Sequence, residues 1–522
     1  MPINPTVIDA NLQASNISTS RIRVNDQTYE FGLTLFNSQG IAFPINTAAL
    51  VNLTIEEDSR EWYKKGTLII NNKDNILERR PNEYTSKDAM YKFRNDGRDI
   101  LFINIKPVVD GGNNIMDLDP FPSKAWELSY ICSVYDVEDL PGEKPNEKNI
   151  KLYFWEYDYQ LFVETTVANW SSNNVLYNNI PSLNGKSSIL PDEVRKVSTG
   201  DAIQDLINNV LTARSGPQTF RPDWDPGAGT IFYAPPPGNN AIDDLDYLFN
   251  RHVASDTFDS INGDVPLLYR SRYDKEWALT SLVTELSFAV DSTGAGPLQL
   301  EQFYLTATDS TGVIIPSLLK TPQSLSNSRN LNLGGTSSIN NFQFVDMSAL
   351  DNTFGLINVP CASNNIKKKQ FNIEMADNAV DNVKDYFQTN YIESFSNNKN
   401  PTALFSLNKS KTQSLSYKHV YSYASTKTDR YADSRNLILK TGFFLNQCIN
   451  FTVNGSTLRR ANSFIGLDRA IGSVDSDFDE KLLGQWYVIK ATHIFTQEGY
   501  KNNITAVKPH ADRNIRIDDN VI

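Results

Sequence analysis

Apolar and polar positions alternate with a period of two through the first hundred residues. Tyr29, Phe31, Leu33 and Leu35 make one such run, and Val51, Leu53 and Ile55 make another. Each predicts a strand with one buried face. "GTLII" from Gly66 to Ile70 and "ILFINI" from Ile100 to Ile105 continue the pattern, joined by connectors rich in Asn, Asp and Gly. The opening third is therefore strand-built.

The segment "WELSYICSVYDVEDLPGEKPNEKNIKLYFW", Trp126 to Trp155, predicts a hairpin, and "GQWYVIKATHIFTQEGYKNNITAVKP", Gly484 to Pro509, predicts another of the same layout. Setting "YICSVYDVED" from Tyr130 against "YVIKATHIFT" from Tyr487, and "KNIKLYF" from Lys148 against "NNITAVK" from Asn502, makes them distant copies within a duplicated β-domain.

Between these regions the period lengthens. In "STGDAIQDLINNVLTAR" the residues Ala202, Ile203, Leu206, Ile207, Val210 and Leu211 fall on one helical face, behind Ser198 and Asp201 as cap candidates. A second helix follows "YAPPPGNN". Asn240 is its cap, Asp243 and Asp244 complement its dipole, Ile242, Leu245, Leu248, Phe249 and His252 form its stripe, and Arg251 lies near its end. A third is expected from about Asp274 through Leu279, Leu282, Val283 and Leu286. Strand patterning resumes at "INNFQFVDMSALDNTFGLINV" and "KKQFNIEM", gives way to a helix around Val380 to Phe395, and returns at "NLILKTGFFLNQCINFTVNG". The Asn454-Gly455 pair predicts a tight turn reversing Cys448–Val453 into "STLRRANSFIGL".

The fold class that follows is α+β, mainly β: two antiparallel β-barrel domains with a helical α/β module inserted between them. The expected divisions are an N-terminal arm over 1–18, a first barrel over 19–185, the module over 186–337, a second barrel over 338–510 and a C-terminal tail over 511–522. The 522 residues suffice for about three or four domains. Tyr (23) and Phe (27) abound, as β-rich architecture favours.

A formal charge of −12 excludes the basic footprint of a protein that grips nucleic acid, while an acidic wall around DNA in transit would not retard it. Cys132, Cys361 and Cys448 are too scattered for a disulfide framework or a paired-ligand zinc site. The start "MPINPTVIDANLQASNISTS" lacks a basic, apolar leader pattern, and no apolar run has membrane-spanning length, so folding in a cytoplasm is expected.

Catalytic signatures are absent. His252, His419, His493 and His510 belong to no His-Glu-x-x-His, Cys-His or Gly-x-Ser-x-Gly arrangement, and no Gly-rich phosphate loop precedes a helix. His252 and His493 read as hydrogen-bonded structural histidines. "DSDFDE", Asp475 to Glu480, imitates a calcium loop but has Glu480 where a Gly is needed and Trp486 where a Glu is, so it reads as a solvated acidic loop. Asp223 and Asp225 beside Trp224 imitate a glycosidase site, yet Asp225-Pro226-Gly227 is a turn sequence and Trp224 a packing anchor. Lys367 to Lys369 protect a strand edge. No catalytic, cofactor or metal residue is assigned.

In the closing hairpin Gly484, Trp486, Val488, His493, Phe495 and Tyr500 fill a Gly-x-Trp-x-Val spacing, then a His-x-Phe strand end and a Tyr-led return. With "GNNAIDDLDYLFNRHVAS", "PLLYRSRYDKEWALTSLVTEL" and "INNFQFVDMSALDN" upstream, the chain resembles the baseplate hub proteins of contractile-tailed bacteriophages and, more loosely, the hub modules of contractile injection systems. The likeness runs discontinuously from Ser198 to His510. The chain departs from it at Ala461-Asn462-Ser463, where such hubs often have Pro-Gly-Asp. The resemblance implies a non-enzymatic virion protein, assembled in the host bacterial cytoplasm. It implies a homotrimer with two barrels per subunit, forming a pseudo-hexameric ring between a sixfold tail tube and a threefold spike. The implied partners are the tail tube protein, the central spike protein, the baseplate wedge proteins and the tape measure protein, with DNA passing through and no membrane-spanning segment. A carbohydrate-binding or glycan-hydrolysing phage tail protein is the alternative, with Trp and Tyr stacking on sugars.

Overall fold

The computed structural model describes residues 20–24, 27–36, 42–72, 77–78, 91–92, 98–108, 127–142, 148–166, 196–227, 230–232, 239–250, 252, 266–271, 275–281, 299–308, 314–320, 340–346, 360–365, 370–375, 421–422, 447–469, 484–497 and 499–507. The expected helix around Val380 to Phe395, the acidic loop Asp475 to Glu480, the lysine run at 367–369 and both terminal tails lie outside them.

Among the described residues fifteen strands form one sheet. From the first region come β1 (Ser20–Val24), β2 (Gln27–Phe36), β3 (Ala42–Pro44), β4 (Leu50–Asp58), β5 (Lys65–Asn71), β6 (Asp99–Val108), β7 (Leu128–Pro141) and β8 (Lys148–Glu156). From the second come β9 (Gln299–Thr308), β10 (Ile314–Lys320), β11 (Asn340–Asp346), β12 (Gln447–Asn454), β13 (Ser463–Arg469), β14 (Gly484–Thr496) and β15 (Tyr500–Val507). The order is β1-β2-β6-β7-β8-β5-β4-β14-β13-β9-β10, with β3 on β2 and a branch β14-β15-β12-β11.

Alternation places the core as expected. Tyr29, Phe31, Leu33 and Leu35 of β2 are all buried, together with Leu68 and Ile70 of β5 and Leu101, Ile103 and Ile105 of β6, in one cluster. In β4 a bulge at Val51 shifts the register, so that Leu50 joins Leu53 and Ile55 on the buried face and Val51 turns aside. Strands β2 and β4 share this core but are not hydrogen-bonded to each other among the described residues, so the sheet curls without closing. One continuous, mainly antiparallel ladder thus runs through both β-regions. The exception is the pairing of β9 with β13, which is parallel.

The hairpins β7–β8 and β14–β15 have the same construction. Counted from the tip, each has six residue pairs, then one extra residue in the first strand, Tyr135 in one and Ile489 in the other. Setting these bulges together aligns the neighbours as well. Asn71 faces Asn149 in β5–β8 as Asn454 faces Lys501 in β12–β15. Asp99 faces Val134 in β6–β7 as Ser463 faces Val488 in β13–β14. Thr54 faces Thr67 in β4–β5 as Gln343 faces Asn450 in β11–β12. The run β4-β5-β8-β7-β6 is therefore repeated strand for strand as β11-β12-β15-β14-β13, in matching register except that β11 is irregular between Asn340 and Gln343 and β4 between Leu50 and Asn52. The bulges correct the sequence alignment, which is out by three residues on the first strand of the hairpin and two on the second.

Asn454-Gly455 does not make the expected hairpin. β12 pairs with β11 and β15, and β14 and β15 stand between it and β13. The chain leaves β12 through Gly455 because no side chain fits there. A Cβ on Gly455 would lie 2.1 Å from the Tyr500 ring.

The outer face of the first unit is covered by helices α1 (Tyr157–Glu164), α2 (Thr199–Ser215) and α3 (Ala241–Phe249). Leu161 and Phe162 of α1, all six stripe residues of α2, and Leu245 and Leu248 of α3 pack with Ile100 and Phe102, which point outward from β6. This is why β6 is apolar on both faces. The Ser198 Oγ accepts from the Asp201 N–H at 3.2 Å, capping α2. Asn240 occupies the N-cap position of α3 without a side-chain bond. The expected third helix is absent at its start: Trp277–Ser281 is a strand paired with Pro266–Arg270. Trp277, Ala278, Leu279 and Thr280 are all buried, and a short run apolar on both faces carries no period to separate strand from helix. Leu282, Val283 and Leu286 lie outside the described residues.

Candidate functional site

The long strand β14 joins the two units. Its first half pairs with β13 of its own unit, Gly484 opposite Leu467, Trp486 opposite Ile465 and Val488 opposite Ser463. Beyond the bulge at Ile489 it changes neighbour, and Lys490 to Thr496 pair with Asp58 to Asn52 of β4 in the first unit. The bulge carbonyl accepts from the Ser59 N–H at 2.8 Å, and Lys490 Nζ reaches Glu56 Oε2 at 2.8 Å across the joint.

The extra residue also explains the irregular spacing of the closing hairpin. It brings the even-numbered Gly484, Trp486 and Val488 and the odd-numbered His493 and Phe495 to one face, with Tyr500 directly opposite Phe495. Trp486, Val488, His493, Phe495 and Tyr500 are all buried. Phe495 and Tyr500 stack at 3.9 Å between centroids and enter the core of the first unit. There Phe31 meets Phe495 and Tyr29 meets Tyr500, each edge-on at 5.2 Å.

A polar network lies behind these rings. Asn502, fully buried, accepts with Oδ1 from the Ser456 N–H at 2.6 Å and from the buried Arg459 guanidinium at 2.9 Å. Its Nδ2 therefore points to His493 Nδ1, 3.0 Å away, where the Tyr500 hydroxyl also sits at 2.7 Å. With Nδ1 accepting, His493 carries its proton on Nε2, which faces the Glu57 carboxylate at 4.0 Å. Tyr130 donates to the same carboxylate at 2.7 Å. Tyr29 donates to the Gly455 carbonyl at 3.2 Å, and burial pushes its phenol well above the usual range against the lowering by Arg459. Tyr29 of the first unit thus bonds to the second, and Glu57 of the first faces His493 of the second. His493 is the structural histidine its position predicts. Arg459 gives no such signal, since a charge in a polar loop reads as exposed.

A second constellation was half legible. His252 lies between Thr199 Oγ1, 2.8 Å from Nδ1, and Asp225 Oδ2, 3.3 Å from Nε2, all three buried. The order hydroxyl, imidazole, carboxylate is that of a nucleophile relay. Among the described residues the backbone packs closely around it. A Cβ on Gly200 would lie 2.0 Å from the Asp225 carbonyl, and one on Gly227 would lie 2.7 Å from the Thr199 hydroxyl. The group clasps the start of α2 to the 221–227 turn and the chain leaving α3. Trp224 is part of that clasp, donating to the Gly200 carbonyl at 3.2 Å and meeting Phe220 edge-on, while Asp223 pairs with Arg221 at 2.6 Å. His252→Leu is expected to cost about 2 kcal/mol by removing the imidazole from between the buried Asp225 carboxylate and Thr199 hydroxyl, against under about 0.5 kcal/mol for Asp223→Asn on the exposed pair, read as urea midpoints.

A nearby cleft between Arg60, Trp62, Phe249 and Leu267 has about 40 Å³, room for water rather than a sugar ring. Among the described residues no three His, Cys, Asp or Glu side chains gather as metal ligands, and no helix is long and apolar enough to cross a membrane. Cys132 and Cys448 are free thiols, the first pushed well up by burial and the second up to about 11.

No family profile matches the chain, and no curated protein does. Solved structures similar to it include two tail proteins and a PdpA-VgrG complex. The tail protein from Neisseria meningitidis MC58 shares 8% identity over 92% of this chain and 96% of its own, with a TM-score of 0.41. The 43 kDa tail protein of prophage MuSo2 from Shewanella oneidensis shares 9% over 91% and 96%, with a TM-score of 0.40. A chain of the Francisella PdpA-VgrG complex shares 8% over 96% and 62%, with a TM-score of 0.40.

Proposed function

We propose that the chain is a structural hub of a phage tail baseplate. Its two sheet units stand side by side in each subunit, so that three subunits present six similar positions. The observation that carries the reading is the repetition of β4-β5-β8-β7-β6 as β11-β12-β15-β14-β13 in the same register. A ring of such units matches a sixfold tube at one end while keeping true threefold symmetry for a spike at the other. The division into two barrel domains over 19–185 and 338–510 with the module over 186–337 belongs to the same reading, the barrels closing only within the ring. The resemblance of the Gly484–Tyr500 hairpin to hub proteins points the same way.

The role is mechanical. Tail tube, spike, wedge and tape measure proteins are its partners, the acidic chain surrounds DNA without gripping it, and the work is done by interfaces rather than by a reactive group. The buried clasp of Thr199, His252 and Asp225 and the packed Trp224 serve stability in this reading, not glycan chemistry. Electron microscopy of the purified protein tests it. Threefold rings with six lobes and a central hole are expected, with a mass three times that of the chain by light scattering. A monomer at every concentration would overturn the proposal.

A further inference from the structure

Each unit contains a strand that bonds on one side to its own neighbours and, past a bulge, is long enough to take a further strand. In β14 that place is filled by β4 of the first unit. The equivalent place on β7, beyond Tyr135, has no strand on it among the described residues: Asp136 to Pro141 pair with β8 alone. The equivalent of β4 in the second unit is β11, and among the described residues it pairs with β12 alone. The chain thus carries one half of the same joint at each end of its repeat.

Burial agrees with a missing partner. Thr492, His493, Phe495 and Tyr500 at the tip of β14–β15 are buried, the last two in the core of the first unit. Their equivalents in β7–β8, by the shared bulge, are Glu138, Asp139, Pro141 and Lys148, and all four are exposed. The N–H of Val137 is engaged by the Asp136 carboxylate at 2.8 Å, a local guard on an open edge.

We infer that β11 of one copy adds to the distal half of β7 in the next copy, reproducing between subunits the β4–β14 joint found within one. Transferring its register places Val137 opposite Asp346, Glu138 opposite Val345, Asp139 opposite Phe344 and Leu140 opposite Gln343. The ladder ends there, because Pro141 has no N–H to give. A second copy fits better than a symmetric pairing of two β7 edges. That arrangement would bring Asp136, Glu138 and Asp139 against their like, whereas Asn340–Asp346 carries Asp346 as its one charge. The contact is head-to-tail and so generates a closed ring or a filament. It rests on the hub reading above and adds the residues that join the subunits.

Disulfide trapping tests it. Copies carrying Leu140→Cys are mixed with copies carrying Gln343→Cys and oxidised; a second mixture pairs Asp139→Cys with Phe344→Cys, so that one poorly folded variant does not decide the matter. Val345 is avoided because it faces Cys448 of its own copy. Linked dimers are expected from both in-register mixtures, and none from either variant alone or from Leu140→Cys with Phe344→Cys, which are one step out of register in the ladder. Rings seen by microscopy with neither in-register pair linking would overturn the joint and leave the hub reading standing. Monomers throughout would overturn both.

Discussion

Asn502→Leu is expected to destabilise the second unit by about 3 kcal/mol, because it removes the one carboxamide that satisfies several buried donors at once. The Arg459 guanidinium and the Ser456 N–H both donate to its oxygen, and its own amide holds His493 in the tautomer whose Nε2–H faces Glu57. Leucine matches the volume but takes away the oxygen to which the buried Arg459 guanidinium and the Ser456 N–H donate, and the lost acceptor of a buried charge is the costlier part. Asn503→Leu is the control. Its neighbour position lies on the other face, half-buried, where its carboxamide accepts from the Thr452 hydroxyl at 2.7 Å, and its loss is expected to stay near 1 kcal/mol. Urea unfolding followed by tryptophan fluorescence distinguishes the two, since Trp486 is buried in this unit. Equal losses would mean that the network is solvated and holds nothing together.

Strands were legible wherever burial was one-sided. Tyr29, Phe31, Leu33 and Leu35 announce β2 because every second residue enters the core. The stripe of α2 is equally plain, and that helix lies between a Ser198 cap and Gly216. What sequence leaves silent is anything set by a distant partner. The duplication is visible in two amphipathic hairpins, but a period of two is satisfied by many registers, and only the bulges at Tyr135 and Ile489 fix the right one. Trp277 to Thr280 is buried on both faces and so loses its period altogether. His252 reads as structural from its place on an apolar stripe. Its partners Thr199 and Asp225, 53 and 27 residues away, are named only by the fold. The continuous ladder is likewise non-local, because β4 meets β14 across more than four hundred residues of chain. Asn-Gly is the clearest case of a local signal overruled. The pair is a turn formula, yet Gly455 stands where it does to make room for a ring.

That overruling gives the sharpest mutational test. Gly455→Ala is expected to cost about 3 kcal/mol, although glycine to alanine in an extended segment usually helps by restricting the unfolded chain. Gly455 is not among the residues with positive φ, so backbone strain is not the reason. The added methyl would meet Cγ of Tyr500 at 2.1 Å and both Cδ atoms within 2.4 Å. The ring has nowhere to go. Phe495 stacks on it at 3.9 Å with planes 15° apart, Tyr29 meets it edge-on, and its hydroxyl is held by His493 at 2.7 Å. The backbone is no freer, since the Gly455 N–H donates to the Tyr500 carbonyl at 2.7 Å. If this clash is the whole cost, Tyr500→Leu, which loses stacking and a hydrogen bond by itself, should absorb the methyl. The double variant is then expected to be at least about 1 kcal/mol more stable than the sum of the single losses predicts, a coupling characteristic of residues in direct contact. Strict additivity in the denaturation midpoints would show that Gly455 is needed for a reason other than the ring above it. Because that ring is lodged in the core of the first unit, a real coupling would also tie the loop after β12 to the joint between the units.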